Sequence, residues 1–448
     1  MSTTNPRQAA FEILLRIEKE RSYADILIDR ELAAGPLTGP DRGLLTELVY
    51  GTLRRQGALD HVIRSFSTQK PEKLQRAVLL LLRLGLYQLL YLDRIPAPAA
   101  VNETVKLAHQ AAPRATGFIN AILRRADRER DAIPWPDERT DPAGHIAAVH
   151  SHPRWLVEQW LRQLGPAETA ELAKAMSEPP PFTVRVNTLK TDRDRLRARL
   201  AEEGATAVPC RYSPDGLVLT THPALAALPS FREGLFTVQD EASQCAALLL
   251  APRPGDRLLD LCAAPGGKTT HCAQLMENRG EIIACDVAPR KLRFIEETAD
   301  RLGITIVTTR QLDGARAAET LPRERFDRVL VDAPCSGIGV IRRNPEGKWW
   351  KTPENILELA DVQRRLLASA ADTVAPGGIL VYATCSTSEE ENKAVVENLL
   401  TQRRDFVLEN GRDLFPEAAE LFTDRGMFRS WPHRHGMDGF CAARLRRT

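Results

Sequence analysis

The chain has no Cys-x-x-Cys pair: its eight cysteines stand apart at positions 210, 245, 262, 272, 285, 335, 385 and 441. Without that spacing a zinc ribbon or a thioredoxin-type centre is excluded. His433 and His435 lack a partner motif and read as loop residues, so no metal is expected. Aromatic residues make up only 6%, too few for a surface lined with base-stacking rings. A net charge of +2 does not announce a polyanion binder, which leaves any such role to local patches. The most apolar run, Val78 to Leu92, contains Arg83 and is too short to span a bilayer, so no membrane partner is expected. A basic segment followed by an apolar stretch is missing at the N-terminus, which points to the cytoplasm and to free thiols. There is no internal repeat and no low-complexity tract.

What is present suits a large globular protein. A length of 448 residues exceeds one ordinary core and predicts two or three domains, and 43% apolar with 27% charged residues is a soluble composition. Residues 1 to about 140 read as helical throughout. Phe11, Ile13, Leu14 and Ile17 share one face, and Leu44, Leu45, Leu48, Val49 and Leu53 repeat the helical period. Leu74 to Leu92 is apolar almost all round, as for the central helix of a bundle. A proline-rich linker at 133–144 leads to a helical piece around Trp155 and Trp160. An alternating strand at 182–187, a charged helix at 191–203 and a strand near Gly216 to Thr220 then form a small α+β unit. From about 236 the texture becomes βα alternation, with apolar runs at 257–261, 281–285, 304–308, 328–331 and 378–382. That pattern predicts a doubly wound, mostly parallel sheet, with 406–408 and 439–445 as added edge strands. The division expected is 1–140, 141–235 and 236–448.

In such a sheet, reactive groups gather beyond the carboxyl ends of the strands. The first strand runs into Asp260-Leu-Cys-Ala-Ala-Pro-Gly-Gly-Lys-Thr269, a glycine-rich turn opening a helix, where backbone and helix terminus can receive a ligand. Gly267-Lys268-Thr269 mimics the end of a phosphate loop, but Cys262 stands where that motif needs its first glycine. The second strand ends at Asp286, suited to ribose hydroxyls, and Asp313 follows the third where an adenine edge is read. The fourth runs into Asp332-Ala-Pro-Cys335 and the fifth into Tyr382-Ala-Thr-Cys385. Fourth and fifth strands are commonly neighbours, so both thiols are expected at one rim, beside an adenosine pocket. The other six cysteines read as core or, for Cys262, as loop backbone.

A rim thiol makes sense for chemistry on a pyrimidine. A thiolate that adds to carbon 6 breaks the conjugation and turns carbon 5 into a nucleophile for an electrophilic methyl group. Asp332 is placed to hold the ring through its nitrogen edge. Which thiol attacks is left open by this logic.

These stretches resemble the RNA cytosine-5 methyltransferases, and among them the bacterial 16S ribosomal RNA methyltransferase B (RsmB, Sun/Fmu) family. The likeness rests on Val238-Gln-Asp-Glu-Ala-Ser243, the 260–269 loop, Asp332-Ala-Pro-Cys-Ser-Gly337, Val340-Ile-Arg-Arg-Asn-Pro345 and Tyr382-Ala-Thr-Cys-Ser386. Tyr50-Gly-Thr-Leu-Arg54, Ala100-Val-Asn-Glu-Thr104 and Gly117-Phe-Ile-Asn-Ala-Ile-Leu-Arg124 extend it to a NusB-like RNA-binding domain. The resemblance implies that domain, then a small α+β (RRM-like) connector, then an α/β Rossmann-like class I methyltransferase domain. It implies S-adenosyl-L-methionine as cofactor, held by Cys262, Ala263, Ala264, Pro265, Gly266, Gly267, Lys268, Asp286, Asp313 and Asp332. It also implies Cys385 as nucleophile, Cys335 as the thiol that assists product release, and Asp332 beside them. In the connector it implies RNA contact around Arg185-Val-Asn187 and Lys190.

The implied substrate is 16S ribosomal RNA, unassembled or partly folded, bound by a monomer. Residue-level support for RNA is modest, since residues 1–140 hold 21 Lys and Arg against 17 Asp and Glu. Arg54-Arg55, Arg124-Arg125 and Arg342-Arg343 are candidates for phosphate contacts. Trp349-Trp350 is expected to bury a helix against the sheet rather than to stack on RNA. Two departures from the family pattern are Glu241, near the cofactor, and Cys441. The alternatives are the same chemistry on transfer RNA and a non-catalytic RNA-binding assembly factor.

Overall fold

The computed structural model describes residues 4–321 and 325–448. Two compact units emerge, one of residues up to Pro179 with Ile341–Trp350, the other of Pro180–Val340 with Lys351–Thr448. Among the described residues no helix is long and apolar enough to cross a membrane.

The first unit is helical: α1 (Pro6–Glu20), α2 (Ala24–Ala34), α3 (Pro40–Arg54), α4 (Gln56–Phe66), α5 (Arg76–Tyr91), α6 (Ala97–Ala111), α7 (Thr116–Arg128), α8 (Pro142–Val149) and α9 (Arg154–Met176). As the apolar run predicts, α5 is central, with Leu80, Leu81, Leu82, Leu84 and Leu86 all in the core. Its buried charge, Arg83, is tolerated there because Asp60 takes it in a fork at 2.7 and 2.8 Å and Glu18 accepts at 3.0 Å. α9 breaks at Gly165–Pro166, where proline has no N–H to continue the ladder.

The 341–350 segment corrects an expectation. Trp350 packs on the helical core, its ring 5.7 Å from Tyr23, and an added Cβ on Gly57 would lie 2.7 Å from Trp349. Lys348 is buried and donates to the Arg54 carbonyl at 3.0 Å, while Glu346 accepts the Ala24 N–H at 2.9 Å. The two tryptophans therefore serve the helical unit and not a helix on the sheet. Arg342 is buried and Arg54 lies over the Tyr50 ring, so these two candidates for phosphate contact are engaged in packing, while Arg55 pairs with the exposed Glu178 at 3.0 Å.

The second unit contains two sheets. Strands β1 (Phe182–Val186), β2 (Thr206–Pro209), β3 (Gly216–Thr221) and β4 (Phe236–Val238) form an antiparallel sheet in the order β2-β3-β1-β4, with α10 (Arg193–Glu202) against it. The larger sheet comprises β5 (Arg257–Asp260), β6 (Glu281–Asp286), β7 (Val307–Gln311), β8 (Phe326–Asp332), β9 (Val374–Thr384), β10 (Phe406–Leu408), β11 (Phe428–Ser430) and β12 (Phe440–Arg447). Its order is β10-β12-β9-β8-β5-β6-β7, parallel from β9 to β7, with β10, β11 and β12 added antiparallel.

Period-two alternation builds both layers. Leu259, Ile283, Val329 and Val331 face the helices Pro353–Thr373 and Lys393–Gln402, whereas Leu258, Ile282 and Leu330 face Glu241–Leu250, Gly267–Leu275 and Pro289–Leu302. β7 begins three residues later than the apolar run suggests. Ile304 N–H still bonds the Ala299 carbonyl to finish the preceding helix, so pairing starts at Val307 against Ile282. From β5 the chain winds outward through β6 and β7, then returns to β8 on the other side. The strand order therefore reverses between β5 and β8, which opens a crevice at their carboxyl ends.

Candidate active site

The crevice is bordered by acids and a glycine turn. Asp260 closes β5, buried, and its Oδ2 accepts the Thr269 hydroxyl at 2.7 Å. Its other oxygen has no hydrogen-bond partner, and burial pushes the carboxyl up to about 7. Cys262 is half-buried with its thiol pushed up by burial, and the Ala263 N–H bonds the Cys285 carbonyl at 2.9 Å. Ala264–Pro265 is a cis peptide, and Gly266 follows at φ 104°, a conformation that favours glycine and starts the helix Gly267–Leu275. Lys268 crosses the crevice: its Nζ donates to Asp332 Oδ2 at 2.7 Å and sits 4.8 Å from the centre of the Phe440 ring.

Asp286 closes β6 and accepts the Ala288 N–H at 2.9 Å. Asp313 is exposed two residues beyond β7 and caps a turn through the Ala315 N–H at 3.0 Å. Asp332 closes β8. The six-residue loop Cys262 to Gly267 thus lies between carboxylates on both sides of the reversal.

Strand register brings the thiols together. Asp332 pairs with Ala383 across β8 and β9, so Cys335, three residues on, and Cys385, two residues on, leave the sheet at one height. Their sulfurs are 3.3 Å apart. The Cys335 thiol is pushed well above its ordinary range, first by its hydrogen bond with Cys385, then by burial. Close backbone approach locks the two loops: Gly339 N–H donates to the Cys385 carbonyl at 3.0 Å, and a Cβ on Gly339 would lie 2.0 Å from the Gly439 carbonyl oxygen.

Other expectations resolve differently. Arg185 and Asn187 are both 1% exposed and so do not face solvent. Arg185 lies beneath the glycine turn, donating to the Gly267 carbonyl at 2.7 Å, to Thr270 at 3.1 Å, to Gln274 at 3.3 Å and to Gln239. Asn187 ties the Gly234 and Leu302 carbonyls at 2.8 Å, and Lys190 reaches those of Glu233 and Arg301 at 2.9 Å. Arg185 thus braces the glycine turn, while Asn187 and Lys190 tie the small sheet to the end of the helix Pro289–Leu302. Glu241 accepts the N–H groups of Tyr212 and Ser213, and Cys441 is buried in β12.

Three contributors escaped the sequence reading: Arg185 as a brace, Phe440 beside Lys268, and Glu391. Glu391 belongs to the run Glu389-Glu390-Glu391-Asn392, which reads as a solvated acidic turn, yet both Glu391 and Asn392 are fully buried. The Asn that follows it was the available signal, since an amide beside an acid suits a buried network better than a wet surface. Among the described residues no cluster of His, Cys, Asp and Glu forms a metal site.

Comparison with known proteins places these features in context. The 16S rRNA methyltransferase RsmB/F profile matches residues 247–446, the NusB family profile residues 4–128, and the RsmF/B-like ferredoxin-like domain residues 152–225. The "Probable ribosomal RNA small subunit methyltransferase B" of Bacillus subtilis is 38% identical over 100% of both chains. A crystal structure of PH0851 covers 99% of both chains at 29% identity with a TM-score of 0.83. NSun6 from Pyrococcus horikoshii, solved with SFG, is 27% identical with a TM-score of 0.60, covering 67% of this chain and 99% of its own.

Proposed function

The chain belongs to the 16S rRNA methyltransferase RsmB/F family, and from there we propose a substrate atom and a nucleophile. It transfers a methyl group from S-adenosylmethionine to carbon 5 of a cytidine in small-subunit ribosomal RNA, with Cys385 attacking carbon 6. The observation that carries this reading is the thiol pair, 3.3 Å apart, at the ends of adjacent parallel strands beside a rim of carboxylates.

The rim suits the cofactor. S-adenosylmethionine has an ammonium, a ribose diol and a cationic sulfur, for which Asp260, Asp286, Asp313 and Asp332 are matched acceptors. The buried, partnerless Oδ1 of Asp260 is an acceptor that a bound ligand would satisfy. The turn from Cys262 to Lys268 supplies the close backbone approach. When bound, S-adenosylmethionine offers an electrophilic methyl carbon.

The chain's own groups do the rest. The Cys385 thiolate adds to carbon 6, and carbon 5 becomes nucleophilic and takes the methyl group. The carbon-5 proton then leaves to a base, the carbon–sulfur bond breaks, and its electron pair returns to Cys385. Cys335, held protonated by its neighbour, assists that release. Asp332, oriented by Lys268, holds the nitrogen edge of the base. Because the base must leave its stack to reach a rim thiol, partly folded 16S RNA bound by a monomer fits this scheme. The helical region 1–140 docks the RNA and 236–448 performs the chemistry. RNA contact from 141–235 falls to residues other than the buried Arg185 and Asn187, with the exposed Lys190 among those available.

Incubation with RNA tests the assignment. Cys335→Ala accumulates a covalent protein–RNA complex on a denaturing gel, and Cys385→Ala is inactive and forms none. Methylation retained by Cys385→Ala would sink the reading. Bisulfite sequencing of RNA from a strain lacking the protein then shows one cytidine of the small-subunit RNA losing protection. Loss from transfer RNA instead would move the substrate.

A further inference from the structure

Each thiol is followed by a serine that is buried, Ser336 after Cys335 and Ser386 after Cys385. Their hydroxyl oxygens lie 3.1 Å apart, and both hydroxyls donate to one carboxylate. Oε2 of Glu391 accepts both, that of Ser386 at 2.5 Å, while Oε1 accepts the Ser336 N–H at 2.7 Å and the Gln363 amide at 3.0 Å. Gln363 also donates to the carbonyl of Pro334, the residue before Cys335, at 2.9 Å. The Glu391 carbonyl accepts the Tyr382 hydroxyl at 2.5 Å, and Asn392 donates to the Ser386 and Ser388 carbonyls at 2.9 and 2.6 Å. These partners of the carboxylate are all neutral. A fully buried carboxylate among neutral donors is a costly choice where stability alone is needed, since apolar packing would serve.

We propose that Glu391 is the positioning residue of the thiol pair, clamping the Cys335 loop and the Cys385 loop to each other through Ser336 and Ser386. This deepens the proposed function and rests on Cys385 being the nucleophile. The clamp also sets a fixed negative charge near Cys335, which adds to the effects of Cys385 and burial in disfavouring its thiolate. Cys385, Glu391 and the Tyr382 hydroxyl on β9 are titratable groups that face that thiol. Cys335 thereby stays protonated while Cys385 attacks, so one carboxylate serves both geometry and division of labour.

Glu391→Gln keeps the size and one acceptor oxygen. Its kcat is expected to fall roughly 10- to 100-fold with the KM for S-adenosylmethionine unchanged, as hydrogen bonds to a charged group are replaced by neutral ones. On the free protein, iodoacetamide should alkylate Cys335 roughly tenfold faster, measured by mass spectrometry. If this variant does not fold, single Ser336→Ala and Ser386→Ala variants decide: the first slows decay of the covalent complex, the second slows its formation. Wild-type kcat in Glu391→Gln, a lower kcat without faster alkylation of Cys335, or the same defect in both serine variants overturns the proposal. Failure of the underlying reading looks different, because Cys385→Ala then still methylates RNA whatever Glu391 does.

Discussion

The sulfurs of Cys335 and Cys385 stand 3.3 Å apart, in contact but not bonded, at the ends of strands β8 and β9. A disulfide bond is about 2.05 Å long, so a short inward movement of the two side chains would close one. Treatment with diamide is expected to oxidise the pair to a disulfide, with the two hydrogens passing to diamide, and to abolish methylation. Dithiothreitol restores it. Peptide mapping that finds both thiols still free after inactivation would count against this pairing.

Asp260 gives the protein a defined pH response. Burial holds its carboxyl at about 7, whereas an unfolded aspartate titrates near 3.9. Between those values the folded protein keeps a proton that the unfolded chain has lost, so this group makes stability fall as pH rises from about 4 to about 7. Asp260→Asn removes that dependence and keeps an acceptor for Thr269. Relative to wild type, its urea midpoint should be more favourable at pH 8 than at pH 5; an equal difference at both would refute the raised carboxyl.

Arg185 joins β1 to the first turns of the helix that follows the glycine loop. Arg185→Met leaves the Gly267 carbonyl, Gln239 and Gln274 without their donor, at a cost of about 3 kcal/mol. Urea unfolding measures the loss. Equilibrium dialysis should also record weaker S-adenosylmethionine binding, because the loop loses its brace.

In the helical unit, Arg83→Met leaves Asp60 as a half-buried carboxylate without its fork and should destabilise by about 3 kcal/mol. Adding Asp60→Asn should recover part of that loss. Full additivity of the two changes in denaturant titrations would mean that the fork contributes nothing as a pair.

Much of this was legible in the chain itself. The apolar run around α5, the alternation in β5 to β9 and the glycine turn are local patterns, and each sets its element through neighbours a few residues away. The reversal between β5 and β8, and with it a rim for Asp260, Asp332 and both thiols, follows from the order of those elements. Trp349-Trp350 read wrongly because their neighbours Tyr23 and Gly57 lie about 300 residues away in the chain, as does the Arg54 carbonyl that Lys348 bonds. Arg185 looked like an RNA contact for the same reason: its burial depends on Gly267, Gln239 and Gln274.

The sequence by itself determined the fold class, the family and the two cysteines, because periodicity and short motifs are properties of consecutive residues. Tertiary structure alone decided that the sulfurs touch, that Lys268 pairs with Asp332, and that Glu391 leaves an acidic run to become fully buried. Those facts depend on strand register and on contacts between distant segments. Burial there sets both the hydrogen bonds and the charge that each thiol experiences.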